Sequence, residues 1–210
     1  MSLPLFPGRS FHGNGRSRRL LPAVAIGMAL VAGACTSTPP AFDLTAPRQG
    51  LRGSGPGGTL VVTEPTALQP LESERILVKD ATGSLSVLGS AVWADRLPRL
   101  VQARLIQTFE NASRIRAVGR PGDGVVAQYQ LNTELRAFQF EAGRGEVFVE
   151  ISAKLLSLAG GQVVRARVFG SRVPVGSTNP AEITQALDRA LSAVLLDIVR
   201  SGGGGGGGRA

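Results

Sequence analysis

Two side chains in this 210-residue sequence are chemically singular, one cysteine, Cys35, and one histidine, His12. A lone thiol forms no intrachain disulfide and builds no cysteine-ligated zinc or iron–sulfur centre. The other groups able to do acid–base work are carboxylates. Glu134 and Glu150 fall on the polar faces of two strands expected to be neighbours, where a paired-carboxylate hydrolytic site is geometrically conceivable, with Glu146 as a third acid. Ion pairing with Arg136 or Lys154 is the competing use of such positions. Arg165, Arg167 and Arg172 would give a positive strip on an exposed sheet face, able to meet lipid headgroups or an acidic partner surface, or simply a solvated face. Trp93 and Tyr129 read as packing residues.

The surroundings of Cys35 give it a role. Arg9, Arg16, Arg18 and Arg19 precede a 15-residue apolar run, Leu20 to Ala34, closed by the small residues Ala32-Gly33-Ala34. The run is shorter than the roughly 20 residues of a membrane-spanning helix, and the order of basic, apolar and small residues is that of a cleaved export signal. Cys35 directly after it, followed by Thr36-Ser37-Thr38, resembles the bacterial lipobox, with Ala32 standing where leucine is usual. Cys35 would then be acylated and become the first residue of the mature chain. Ser17-Arg18-Arg19-Leu20-Leu21 also fits a degenerate twin-arginine signal, although general secretion is the better reading.

Removal of residues 1–34 changes the balance of the whole chain. It takes four arginines and no acid, so the net charge falls from +8 to +4, with 19 basic against 15 acidic residues. No basic run survives to support nucleic-acid binding. It also takes His12, so the mature chain has no histidine for a general base, a catalytic triad or a metal site. Neither a cofactor nor a metal is expected.

These residues must be positioned by the folded part. Residues 35–59 read as the lipidated N-terminus and a flexible linker, although Phe42-Asp43-Leu44 could pair as a short strand, and residues 202–210 read as a glycine-rich tail. Between them, 60–201 form one domain, for which 43% hydrophobic residues supply a core. The signals run β-β-β-α-β-β-β-β-α. Asp95 and Pro98 open an amphipathic helix with Leu97, Leu100, Val101, Leu105, Phe109 and Ala112 on one face. Strands follow in which Leu131, Thr133 and Leu135, then Val147, Val149, Ile151, Ala153 and Leu155, share a face. In the next strand Val164, Ala166 and Val168 oppose Arg165 and Arg167. Asn179, Pro180 and Glu182 start a second helix with an apolar stripe from Ile183 to Ile198. The expected architecture is α+β, a mainly antiparallel sheet with two amphipathic helices packed on one face.

Arg75-Ile76-Leu77-Val78, Trp93-Ala94-Asp95-Arg96-Leu97-Pro98-Arg99-Leu100 and Tyr129-Gln130-Leu131 with Leu135 and Phe138 resemble, in order and spacing, the ABC-type transport auxiliary lipoproteins over about residues 42–200. The resemblance implies an envelope lipoprotein facing the periplasm, anchored by its lipid beside an ABC permease, its ATPase and a mammalian-cell-entry (MCE) protein, in lipid transport between membranes. It further implies a homo-oligomer docked on the MCE conduit. Such a protein would not be an enzyme. Thr36 after Cys35 favours the outer membrane. A structural or assembly lipoprotein of the outer membrane is the second reading, and a carboxylate-dependent envelope hydrolase the third.

Overall fold

The computed structural model describes residues 38–48, 57–111 and 115–202, all within one unit that begins at Thr38. Cys35, the export segment and the tail from residue 203 lie outside the described residues. In chain order the elements are β1 (Ala41–Phe42), β2 (Gly58–Val62), β3 (Thr66–Ala67), β4 (Arg75–Lys79), β5 (Leu85–Trp93) and α1 (Leu97–Glu110). They continue with β6 (Ile115–Gly119), β7 (Tyr129–Glu141), β8 (Glu146–Ser157), β9 (Gln162–Pro174) and α2 (Pro180–Gly202).

Strand β7 organises the sheet. One edge runs antiparallel to β8, and β8 in turn carries β9. The opposite edge is shared end to end by three short parallel strands, β2, β3 and then β4. β6 extends the sheet beyond β2, and β5 pairs antiparallel with β4 and takes β1 as its parallel neighbour. The class is α+β, and among the described residues the sheet has nine strands and is mixed. Its long ladders are antiparallel, as the turns at Gly143–Gly145 and Gly160–Gly161 require, while five of its eight pairings are parallel. Those parallel partners are far apart in sequence, so no local turn signal announces them.

Both helices cover one face. The α2 stripe, Ile183, Ala186, Leu187, Ala190, Leu191, Val194, Leu195 and Ile198, is buried, as are Leu97, Leu100, Val101, Leu105 and Phe109 of α1. Ala112 lies outside the described residues. Asn179 caps α2 as its position predicts, its Oδ1 accepting the Ala181 N–H at 2.9 Å. Asp95 instead stands one residue ahead of the cap position of α1, where it accepts the N–H of Arg96 at 2.7 Å and pairs with Arg99 at 3.4 Å. The Leu97 N–H is taken by the Ser73 carbonyl at 3.1 Å. Opposite the helices, Leu131, Leu135, Val147, Val149 and Ile151 close the core. A bulge at Arg136 shifts the register, so that after Leu135 the core positions of β7 become Phe138 and Phe140. Trp93 is buried and meets Phe138 edge to face at 5.6 Å, a packing role.

The fold begins before residue 60. β1 pairs with the end of β5, and Leu44 is 1% exposed in the core. Nη2 of Arg104 on α1 donates to both carboxylate oxygens of Asp43 at 2.7 Å. Thr45 donates twice to Asp188 on α2, from its N–H at 2.7 Å and its hydroxyl at 2.6 Å, and Asn111 donates to the Pro47 carbonyl at 3.0 Å. Residues 41–48 are therefore a strap bound across both helices.

Candidate functional site on the uncovered sheet face

With both helices on one side, the other face of β7, β8 and β9 is left for contact. Its best-defined part lies where the β7–β8 turn closes. There Glu141 and Glu146 stand directly opposite each other in the ladder, and two like charges in that position repel. Arg172, reaching across from β9, resolves the conflict, its Nη1 donating to Glu141 Oε2 at 2.7 Å and to Glu146 Oε1 at 2.6 Å. Its guanidinium carbon lies 3.8 Å from the centroid of the Phe148 ring, a cation–π stack that holds the group flat on the sheet. Arg144 adds longer contacts, 3.9 Å to Glu141 and 3.7 Å to Glu146.

The second wall is the β4–β5 turn. Asp80 Oδ1 accepts from the Thr82 hydroxyl at 2.7 Å and from the N–H groups of Thr82 and Ser84 at 2.9 Å. These bonds, the Thr82 hydroxyl foremost, lower the Asp80 pKa from its ordinary value. A Cβ on Gly143 would come within 2.8 Å of Ala81 Cβ, so the two turns touch through a position that only glycine fits. The result is an open groove of about 900 Å³, lined among others by Lys79, Arg136, Gln139, Glu141, Phe148 and Arg172.

The Arg172 hydrogen bond, chiefly, holds the Glu141 pKa below the ordinary carboxylate value against the opposing effect of burial. The same bond raises the Arg172 pKa. Both remain charged at neutral pH, so the floor of the groove is a fixed pattern of charge around an aromatic ring.

The arginine strip divides. Arg165 and Arg167 stand in register with Leu155 and Ala153 on the helix side of the sheet, whereas Arg172 pairs with Phe148 on the uncovered side. With Phe169, Ile198 and the end of α2, Arg165 and Arg167 border a crevice of only about 20 Å³, and Arg167 lies 5.3 Å from the Phe169 centroid. The parity of the numbering, with 165 and 167 odd and 172 even, was the signal in the sequence. Conversely Val164 and Val168, expected opposite the arginines, are 48% and 42% exposed, Val164 falling at a register shift where β9 carries one extra residue.

The carboxylates Glu134 and Glu150 are not set directly opposite one another. Glu134 stands opposite Ser152 and takes Arg136 Nε at 3.4 Å, along its own strand. Glu150 stands opposite Ala137, beyond the bulge, and Glu146 belongs to the Arg172 cluster. Sequence reasoning missed Glu141 and Phe148 because only the three-strand register brings them to Arg172. Cys35 lies outside the described residues. Among the described residues no helix is long and apolar enough to cross a membrane.

The model of a family described as "ABC-type transport auxiliary lipoprotein component" matches residues 42–199. An uncharacterized protein of Bradyrhizobium diazoefficiens is 33% identical over 161 residues, which is 75% of this chain and 43% of that protein, so the chain spans less than half the length of this relative. A crystal structure of a protein from Xanthomonas campestris superposes with a TM-score of 0.66 at 27% identity, covering 77% of this chain and 92% of that one. Another crystal structure, of an uncharacterized protein, shares the fold at 16% identity with a TM-score of 0.63, covering 78% of this chain and 98% of that one.

Proposed function

Because the chain belongs to the ABC-type transport auxiliary lipoprotein family, we propose that it is a non-catalytic accessory subunit, anchored through acylated Cys35, that binds an MCE-type protein and the permease and ATPase of an envelope lipid transporter. The observation that carries this reading is the uncovered face, where Arg172, Phe148, Glu141 and Glu146 form a rigid, charge-patterned surface. Such a surface is specific for a protein partner through complementary charge and shape. ATP is used by a separate subunit, and this chain takes no cofactor.

Copies of the chain associate with one another in this reading. Among the described residues β9, 13 residues long, pairs with β8 alone, and its other edge offers backbone groups to an added strand. Thr36 after the acylated cysteine favours the periplasmic leaflet of the outer membrane, within the cell envelope.

Recovery of an MCE protein or permease with the full chain from gently solubilised membranes tests the reading. Recovery of outer-membrane assembly proteins in their place would support the assembly role instead. Glu134→Gln, at a residue outside the lining of the groove, leaves binding intact, and a hydrolytic activity lost in both Glu134→Gln and Glu150→Gln would establish the third reading.

A further inference from the structure

The strap changes what holds the domain near the membrane. The glycine-rich stretch at 49–58 suggests a long tether, yet both of its flanks are held in the fold. On one side Asp43, Leu44 and Thr45 are bound to α1, the core and α2. On the other, β2 is paired with β6 and β7. That stretch is a connection within the domain and contributes no reach toward a membrane. The chain that does contribute is Thr36–Pro40, five residues, two of them prolines. Six steps from Cys35 to Ala41, at about 3.3 to 3.6 Å each, span at most about 22 Å, and the Pro39-Pro40 pair favours an extended, semi-rigid path.

We propose, on the reading that Cys35 carries the lipid, that the domain rides against the phospholipid headgroup layer on this five-residue leash. The surface at Pro40, Ala41 and the end of β5, where the Pro40 carbonyl accepts the Val92 N–H at 3.1 Å, is the one turned to the bilayer. The bound strap is what fixes it. Asp43 faces an Arg104 side chain that is 15% exposed, so lifting the strap strips a largely buried cation of its partner and exposes Leu44. Both oppose undocking. The leash therefore stays short.

Two insertions, one on each side of the strap, test this in vesicles bearing the lipidated full chain, with a donor dye at Arg200→Cys on the exposed end of α2 and acceptor dye on the lipids. A Gly/Ser insertion of about 20 residues, spanning about 25 Å, between Thr38 and Pro39 is expected to cut energy transfer to the bilayer severalfold. The same insertion between Gly53 and Ser54 is expected to leave transfer at the wild-type level. Equal loss from both insertions, or no loss from the first, overturns the leash. A wild-type chain that does not float with the vesicles overturns the leash and the anchor together. The vesicles contain no partner protein, so the accessory-subunit reading can fail while this result stands.

Discussion

Asp43 and Arg104, 61 residues apart in sequence, meet with Nη2 of the arginine 2.7 Å from both carboxylate oxygens. Arg104 is further held by its Nη1 bond to Gln107 at 2.7 Å, while its buried Nε has no hydrogen-bond partner among the described residues. The arginine is thus committed to its place, and the acid comes to it.

Asp43→Ala should lower stability by about 1.5 kcal/mol, the lower end for a hydrogen bond to a charged group, because Asp43 is itself 57% exposed. Urea midpoints of the mature domain measure it. Asp43→Ala combined with Thr45→Ala should exceed either single change, and a double variant as stable as wild type would show that the strap contributes nothing.

Trp93→Ala removes a buried ring and its edge-to-face contact with Phe138. A loss of about 3–5 kcal/mol is expected, read by chemical unfolding followed in the far ultraviolet, since the single tryptophan is gone.

The Glu141–Arg172 contact makes a prediction about acid. Because the folded pKa of Glu141 is depressed, its contribution to stability is present above the unfolded carboxylate pKa of about 4.3 and is lost as pH falls through the lower folded value. Arg172→Ala should remove this loss and leave Glu141 and Glu146 opposed. Its destabilisation should therefore be larger at pH 7 than at pH 3, measured as thermal midpoints across that range.

Gly143→Ala should be destabilising by about 1–3 kcal/mol through collision with Ala81. Ala81→Gly in the same chain should restore most of it. A double variant no better than Gly143→Ala would place the strain elsewhere.

Cys35→Ser should move the protein from the membrane to the soluble fraction, read by fractionation. Continued tight membrane binding would mean a second anchor.

Much of the fold was legible where the pattern is local. Asn179-Pro180 and the apolar spacing from Ile183 to Ile198 define α2 without reference to any other segment. Alternation in β8 likewise names its buried face. The rest depends on partners distant in sequence. A bulge at Arg136 exchanges the faces of β7, and the extra residue at Val164 belongs to the pairing of β9 with β8. Neither leaves a mark in composition, because one residue more or less in a strand changes no propensity. At the candidate site, Arg172 was visible as a charged strand residue. Its company was not, since Glu141, Glu146 and Phe148 reach it through register. The strap was legible only in part, in Phe42-Asp43-Leu44 as a possible short strand, because Thr, Pro and Gly around it suggest a linker while its partners on β5, α1 and α2 lie far along the chain.

The three short strands laid along one edge of β7 also set an order of assembly. β2, β3 and β4 each complete their pairing on residues between Tyr129 and Glu141, and a hairpin such as β4–β5 alone is marginal in water. A chain emerging from its N-terminus therefore has no stable sheet until its second half arrives, and closing such distant contacts is slow. On the reading that the chain is exported, late closure suits a polypeptide that crosses a membrane before its sheet forms.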